Sequence, residues 1–287
     1  MSAIIIDGKA LATEIREKIK EDTARMTSAG IRPGLAVVLV GDDPASKVYV
    51  RNKKAACEEA GILSEEYTLP ASTSEAELLE LIHKLNNKKD IHGILVQAPL
   101  PSHINFKTIT ENILPEKDVD AFHPYNVGKI MIRDFDFLPC TLAGVMELIK
   151  KAGVSVSGKN CVVVGRSNIV GKPQSMLLLK ENGTVTICHS KTENLADFTK
   201  KADILVVAVG RAEMIKGDMI KPGAVVIDVG MNRNSEGKLV GDVDFSTAKD
   251  VAGYITPVPG GVGPMTITML LKNTLKAAEL SSKIDLK

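Results

Sequence analysis

The sequence predicts an α/β protein of two domains, each built around a parallel sheet. Three observations predict it. Short runs of Val, Ile, Leu and Ala alternate with longer stretches of helical periodicity, the order of parallel βα units. Two series of such runs lie on either side of residues 118–139, the expected interdomain connection. With 287 residues, the chain is long enough for a core in each half.

Residues 10–25 are polar with an apolar stripe at Leu11, Ile15 and Ile19, which predicts a surface helix. Residues 34–41, GLAVVLVG, form a branched run expected as a buried strand. Asp42 and Asp43 before Pro44 start a helix that Gly61 stops after about Ala60. A strand over 64–69 and a helix over 74–87, with Leu78, Leu81, Ile82 and Leu85 on one face, come next. The strand over 93–97 ends abruptly in Ala98-Pro-Leu-Pro101, which places Gln97 at a strand's carboxyl end.

The second series opens with a helix over 142–152, closed by Gly153. A strand over 160–165 leads through a turn into a helix over 171–181. Strands are expected over 184–188, 202–210 and 224–230, and an amphipathic helix over 272–283 closes the chain. There is no internal repeat and no low-complexity segment.

Composition excludes several functions. With 36 basic and 35 acidic residues, the net charge of +1 gives no footprint for nucleic acid or an anionic membrane. There is no Trp and only 4 Tyr and 6 Phe, too few for a base-stacking surface. Cys57, Cys140, Cys161 and Cys188 lack zinc-ligand spacing and any disulfide pattern, so free thiols in a reducing compartment are expected and no metal is expected. No apolar stretch is long enough to span a bilayer, and residues 1–12 lack the pattern of a signal peptide. A cytoplasmic location follows as an expectation.

The turn after the strand ending at Gly165 reads Gly165-Arg-Ser-Asn-Ile-Val-Gly171-Lys-Pro173. A strand, a glycine turn and a helix N-terminus form an anion site, because backbone N–H groups there lack helical partners. Ser167 stands where a G-x-G-x-x-G fingerprint has its middle glycine, so the turn alone is a weak signal. The later strands ending in Val209-Gly210 and Val229-Gly230 strengthen it, since glycines at strand ends admit a ligand. Together these features predict a dinucleotide site of Rossmann type. An NAD site usually carries an acid at the end of its second strand. Here that strand ends Cys188-His189-Ser190-Lys191-Thr192, with Arg166 in the phosphate turn, so NADP is the expected cofactor. If Lys191 and Arg166 are merely solvated charges, that preference lapses.

In the first half, Ser46, Tyr49 and Lys53 share one face of the helix after Pro44. A ring beside a snorkelling amine is the plain structural alternative. Gln97 and the segment Lys117-Asp-Val-Asp120 give a second possibility: a lysine held partly desolvated beside an amide and a carboxylate, with its pKa lowered toward acid–base work. Tyr49 would then offer a stacking plate for a planar substrate. The five histidines show no metal spacing.

These residues resemble the bifunctional methylenetetrahydrofolate dehydrogenase/methenyltetrahydrofolate cyclohydrolase family over essentially the whole chain. The segments carrying the resemblance are Ser46-x-x-Tyr49-x-x-x-Lys53, Val96-Gln97-Ala-Pro-Leu-Pro101, Pro115-Glu-Lys-Asp-Val-Asp120, Pro139-Cys-Thr141 and Gly165-Arg-Ser-x-x-Val-Gly171-x-Pro173. The block Thr256-Pro-Val-Pro-Gly-Gly-Val-Gly-Pro-Met-Thr266 is the most specific. The resemblance implies a folate-binding catalytic domain over 1–139, completed by 268–287, and a Rossmann-like NADP-binding domain over 140–267, with the active-site cleft between them. It implies oxidation of 5,10-methylenetetrahydrofolate by NADP, then hydrolysis of the methenyl cation to 10-formyltetrahydrofolate. Tyr49 would stack on the aminobenzoyl part, Lys53 would handle protons, Gln97 would orient Lys53, and Asp120 would accept from the pterin. Ser46, Pro99, Leu100, Pro259 and Gly260 are implied as substrate contacts. Arg166, Ser167 and Ser190 would face the adenosine phosphate. Thr141, Gly165, Val170, His189 and Thr266 fall on the cofactor side with Val209, Gly210, Val229 and Gly230. A homodimer is implied by the resemblance alone. Two positions depart from the family pattern: Ala98, where Leu is usual, and Ala121, where Gly is usual.

Two other readings stay open. A monofunctional NAD-dependent dehydrogenase would lack the hydrolytic step, against which the retention of Lys53, Gln97 and Arg166 argues. A catalytically silent nucleotide sensor on the same fold would have no need of a buried lysine.

Overall fold

The computed structural model describes residues 2–282. In chain order it contains β1 (Ile4–Ile5), α1 (Gly8–Ser28), β2 (Gly34–Val40), α2 (Pro44–Ala60), β3 (Leu63–Leu69), α3 (Glu75–Asn87), β4 (Gly93–Val96), α4 (Phe106–Asn112) and α5 (Pro124–Ile132). There follow α6 (Cys140–Lys151), β5 (Asn160–Val164), α7 (Gly171–Lys180), β6 (Thr184–Cys188), α8 (Leu195–Thr199), β7 (Ile204–Val207) and β8 (Val225–Asp228). The short β9 (Asn232–Arg233), β10 (Leu239–Val240), α9 (Phe245–Ala248) and β11 (Tyr254–Ile255) precede α10 (Val262–Ser282). The chain forms two compact units, Glu14–Cys140 with Ile267–Lys287, and Met1–Thr13 with Thr141–Thr266.

The first unit holds a three-stranded parallel sheet in the order β3-β2-β4. β2 lies in the middle and all seven of its residues are buried, as an uninterrupted branched run requires when both faces are covered. Ala36, Val38 and Val40 pack with Leu78, Ile82 and Leu85 of α3 and with Ile94 and Val96 of β4. α3 starts in a capping box: Ser74 Oγ accepts from Glu77 N while the Glu77 carboxylate accepts from Ser74 N.

Residues 118–139, expected as a connection, are instead part of this unit up to Cys140. The reason is local: Asp118 is buried and accepts from His123 N at 2.8 Å and Asn126 Nδ2 at 2.9 Å, which folds the segment back and starts α5. Val119 and Ala121 are fully buried.

The second unit holds a six-stranded sheet in the order β1-β11-β8-β7-β5-β6, with every pairing parallel. Counting from β5, its five later strands run 2-1-3-4-5, a doubly wound order whose direction reverses between β5 and β7. Ligands of such sheets bind beyond the carboxyl ends of the strands at that reversal. Val162, Val164, Leu205, Val207, Val226 and Ile255 form the core of the sheet. Residues 1–13, expected with the folate domain, belong here because β1 pairs with β11. Two-residue strands carry no periodicity, so neither was predicted. The closing helix begins ten residues earlier than expected, at Val262 instead of Lys272. Pro264 stands in its first turn, where the missing N–H costs nothing. The expected end at Lys283, and residues 284–287, lie outside the described residues.

Candidate active site

α2 positions the reactive side chains of the first unit. Asp43 caps it, its Oδ2 accepting from Ser46 N at 2.7 Å; Pro44 supplies the preset first turn, and Gly61 ends the helix in a left-handed conformation. Its buried face is Ser46, Val50, Lys53, Ala56, Cys57 and Ala60. A lysine therefore occupies a stripe that is otherwise small or apolar, and Lys53 is only 7% exposed. Ser46 is buried and its hydroxyl bonds the capping carboxylate of Asp43, so its visible work is to start the helix. Tyr49 is partly exposed beside it, and burial pushes its phenol upward.

Gln97 enters from β4. Its N–H donates to Val38 O at 2.8 Å, extending the strand pairing by one residue. Its Oε1 lies 2.9 Å from Lys53 Nζ, and its Nε2 donates to Ala98 O at 2.6 Å. The amide is thus used at both ends, and the amide hydrogens cannot turn toward the amine. The Ala98–Pro99 peptide is cis. Pro99 is exposed, whereas Leu100 packs against the core of the unit.

Asp120 is the third member. Burial lowers the Lys53 amine, an effect opposed by the charge of Asp120. Burial raises the Asp120 carboxyl, opposed by Lys53 and by a hydrogen bond with Cys140. The backbone beside Asp120 is pinned: Asn273 Nδ2 donates to Val119 O at 2.8 Å and to Leu138 O at 2.9 Å, and Cys140 Sγ donates to Val119 O at 3.3 Å. The unit thus assembles an amine, an amide and a carboxylate, with an amine inclined to give up its proton.

In the second unit, Gly165 follows β5 at φ 140°. A Cβ there would lie 2.3 Å from Ala208 O, so only glycine lets the turns after β5 and β7 meet. The anion site differs from the expectation of free amides. Ser167 Oγ accepts from Val170 N at 3.1 Å and from Gly171 N at 3.3 Å, and Ser167 O accepts from Lys172 N. The serine in the place of the middle glycine accepts from the amides that lead into the helix. An anion there can be met by the Ser167 hydroxyl proton and by the exposed Arg166 and Ser190. His189 Nδ1 accepts from Lys191 N at 3.2 Å, and Thr141 Oγ1 and Thr266 Oγ1 share a hydrogen bond of 3.2 Å. Pro259 and Gly260 lie in this unit, between β11 and α10.

The strand-end glycines also differ from the expected role. Val209 N, Gly210 N and Arg211 N all donate to Asp242, and a Cβ on Gly230 would lie 2.3 Å from Asp242 Cγ. Gly230 makes room for a carboxylate of the chain itself. Val229 follows β8 beside it and is partly exposed. Asp242 was absent from the sequence-based site, although an acid within an apolar run, Leu-Val-Gly-Asp-Val, signals a buried partner. His123 caps α5 through Nδ1, which accepts from Tyr125 N at 3.0 Å.

A doubly wound parallel sheet in one chain with a unit carrying a buried lysine–amide–carboxylate group defines a nucleotide-dependent α/β enzyme. Residues 6–120 match the catalytic domain of tetrahydrofolate dehydrogenase/cyclohydrolase, and residues 139–282 match its NAD(P)-binding domain. The chain belongs to the tetrahydrofolate dehydrogenase/cyclohydrolase family. The bifunctional protein FolD of Acetivibrio thermocellus is 61% identical over 284 residues, 99% of this chain and 100% of that protein. The crystal structure of the bifunctional FolD methylenetetrahydrofolate dehydrogenase/cyclohydrolase from Campylobacter jejuni is 49% identical, covers 97% of this chain and 99% of that one, and superposes with a TM-score of 0.95. The FolD enzyme of Trypanosoma brucei, solved with NADP and an inhibitor, is 41% identical over 99% of this chain and 100% of that one, also with a TM-score of 0.95. Among the described residues no helix is long and apolar enough to cross a membrane.

Proposed function

We propose that the chain is a bifunctional enzyme of folate one-carbon metabolism. It oxidises 5,10-methylenetetrahydrofolate to 5,10-methenyltetrahydrofolate with NADP and hydrolyses the product to 10-formyltetrahydrofolate. The observation that carries this reading is the Lys53–Gln97 pair beside Asp120, in a chain that matches both domains of the family.

The donor set of the second unit suits NADP. Arg166 and Ser190 are exposed at the ends of β5 and β6, and no acid occurs from His189 to Thr192 to compete with a 2′-phosphate. When bound, NADP supplies the hydride acceptor. Oxidation then asks of the protein mainly that the two rings be held together. Tyr49 offers its ring to the aminobenzoyl part, and Asp120 accepts from the pterin. Pro259, Gly260 and Ser46 are assigned to the substrate side with Pro99 and Leu100. Gly165, Ser167, Val170, His189, Thr141 and Thr266 are assigned to the cofactor, as are Val209, Gly210, Val229 and Gly230.

Hydrolysis needs a proton handler. Water adds to the methenyl carbon and gives one proton to the Lys53 amine, which burial holds ready to accept it. As the ring C–N bond breaks, the departing nitrogen takes up a proton, and one proton is released overall. Gln97 keeps the amine aimed, because its Oε1 can only accept. A monofunctional NAD-dependent enzyme would have no use for this pair.

The enzyme is read as a cytoplasmic homodimer. Four buried free cysteines suit a reducing compartment. The edge strand β6 exposes Ile187, with Leu179 and Phe198 also exposed in the same unit, an apolar margin that a second copy would cover. Sedimentation velocity tests the dimer. The function is tested by mixing the protein with methylenetetrahydrofolate and either NADP or NAD, following reduced cofactor and methenyl absorbance. Reduction of NADP with methenyl decay above the buffer rate is expected. Reduction without that decay would leave only the dehydrogenase.

A further inference from the structure

Two carboxylates of the second unit take no part in the chemistry above. Asp228 ends β8 and is 3% exposed, and Asp242 follows β10 and is 0% exposed. Asp242 Oδ2 accepts from Val209 N at 2.6 Å and Gly210 N at 3.1 Å, while Oδ1 accepts from Arg211 N at 2.8 Å and Asn232 Nδ2 at 2.9 Å. Asp228 Oδ1 accepts from Gly230 N at 2.9 Å and Asp242 N at 3.0 Å, and Oδ2 accepts from Val243 N at 2.8 Å. Asp228 N in turn donates to Thr256 Oγ1 at 2.8 Å.

The packing is reciprocal. A Cβ on Gly230 would lie 2.3 Å from Asp242 Cγ, and one on Gly241 would lie 1.8 Å from Asp228 Oδ2. Each carboxylate rests on the glycine near the other acid in sequence. Six backbone amides from the segments after β7, β8 and β10 thereby converge on two side chains. Three successive amides aimed at one carboxylate form an anion nest, and here the chain fills that nest with its own charge. The filled nest lies directly after β7. The turn of β7 meets the turn of β5 there, at Ala208 O against Gly165. That is where the sheet reverses direction and where its ligands bind.

We propose that Asp242, seated on Asp228, is a positioning residue for the dinucleotide: it claims the N–H groups of residues 209–211, so this loop meets the cofactor without a backbone donor. The inference rests on the NADP-dependent reading above. It assigns phosphate recognition to other groups, Ser167, Ser190 and Arg166, and leaves the loop after β7 a rigid surface of carbonyl and side-chain atoms.

Two measurements test it. Asp242→Asn keeps the shape but replaces an acceptor by a donor facing Val209 N and Gly210 N, so the loop must rearrange. The expected result is a KM for NADP raised by roughly tenfold or more with a much smaller change in dehydrogenase kcat, so that the ratio of dehydrogenase to cyclohydrolase rate falls at subsaturating NADP. An unaltered KM with only a lower melting temperature would overturn the proposal. Hydrogen exchange on the unsubstituted protein keeps the test decisive if that variant does not fold. Amides 209–211 should be protected before NADP is added and gain no further protection with it. Slowing of their exchange by NADP would show them to be cofactor donors and sink the idea. Failure of the wild-type protein to reduce NADP would overturn the proposed function instead, while the protection of these amides without cofactor would still test Asp242.

Discussion

Lys53 Nζ lies 2.9 Å from Gln97 Oε1, and the rest of the Gln97 amide is occupied by Ala98 O. Two elements of the first unit, the helix α2 and the end of β4, are needed to bring them together. The amine is buried yet has an acceptor, so it is held without being fixed in its charged form. Lys53→Met retains the length and apolar stem while removing the proton acceptor. The expected outcome is loss of cyclohydrolase activity by about a hundredfold or more, with folate binding preserved, since general acid–base groups contribute on that scale. Methenyl decay and folate binding measured on the same preparation check it, and a variant with full hydrolytic rate refutes the role.

Gln97→Glu places a carboxylate where the neutral oxygen now faces the amine. A nearby negative charge favours the charged lysine and opposes the lowering caused by burial. If the neutral amine receives the proton from water, the rising limb of the cyclohydrolase pH profile should move to higher pH in the variant. The rate near neutrality should fall. An unmoved limb would detach Gln97 from the charge state of Lys53.

Ala121 adopts φ 56° and is completely buried. This left-handed conformation costs a residue with a Cβ about 1 kcal/mol relative to glycine. The turn is imposed from outside: Ala121 N donates to Asp118 O, and the Asp118 side chain holds His123 N beyond it. Ala121→Gly should therefore stabilise the protein by up to about 1 kcal/mol, less the entropy that glycine adds to the unfolded chain. Chemical denaturation with an unchanged m-value would measure it. A loss of stability would mean that the methyl's packing outweighs the strain.

Sequence patterns disclosed the parts of the structure that depend on neighbours along the chain. Asp43-Pro44 and Gly61 bounded α2, and spacing put Lys53 on one face with Ser46 and Tyr49; that this lysine is buried is seen only in the structure. Branched runs located β2, β4, β5 and β6. What escaped were features made by distant pairings. β1 is a strand only because β11 gives it a partner, and β11 only because it lies between β1 and β8. The segment 118–139 looked like a connection because its Pro and Gly residues interrupt any pattern, while the Asp118–Asn126 hydrogen bond that folds it inward leaves no periodic trace. The same holds for Ser167, whose hydroxyl accepts from Val170 N and Gly171 N, bonds that a middle glycine would not make. Asp228 and Asp242 escaped because a single acid in an apolar run has no periodicity of its own, and most of their donors come from other loops.

The Asp228 carboxyl titrates unlike a typical paired aspartate. Its burial raises it to about 6 from an ordinary value of 3.8, outweighing the three amides that favour its ionised form. Between those values the unfolded chain has released this proton and the folded chain still holds it. The unfolded state binds fewer protons there, so this group's contribution to stability falls as pH rises from about 4 to about 6 and is level outside that window. The full difference is at most about 3 kcal/mol on the scale of 1.4 kcal/mol per pKa unit. Asp203, Glu65 and Asp244 have lowered values and act in the opposite direction over their own range, so the wild-type curve alone would not isolate Asp228. Subtracting the stability of Asp228→Asn at each pH removes them, whatever the constant penalty of losing a carboxylate acceptor. The wild-type-minus-variant difference should decline across that window and flatten above it. A difference that rises with pH would mean that the amides of Gly230, Asp242 and Val243 hold the carboxylate ionised more strongly than burial opposes it.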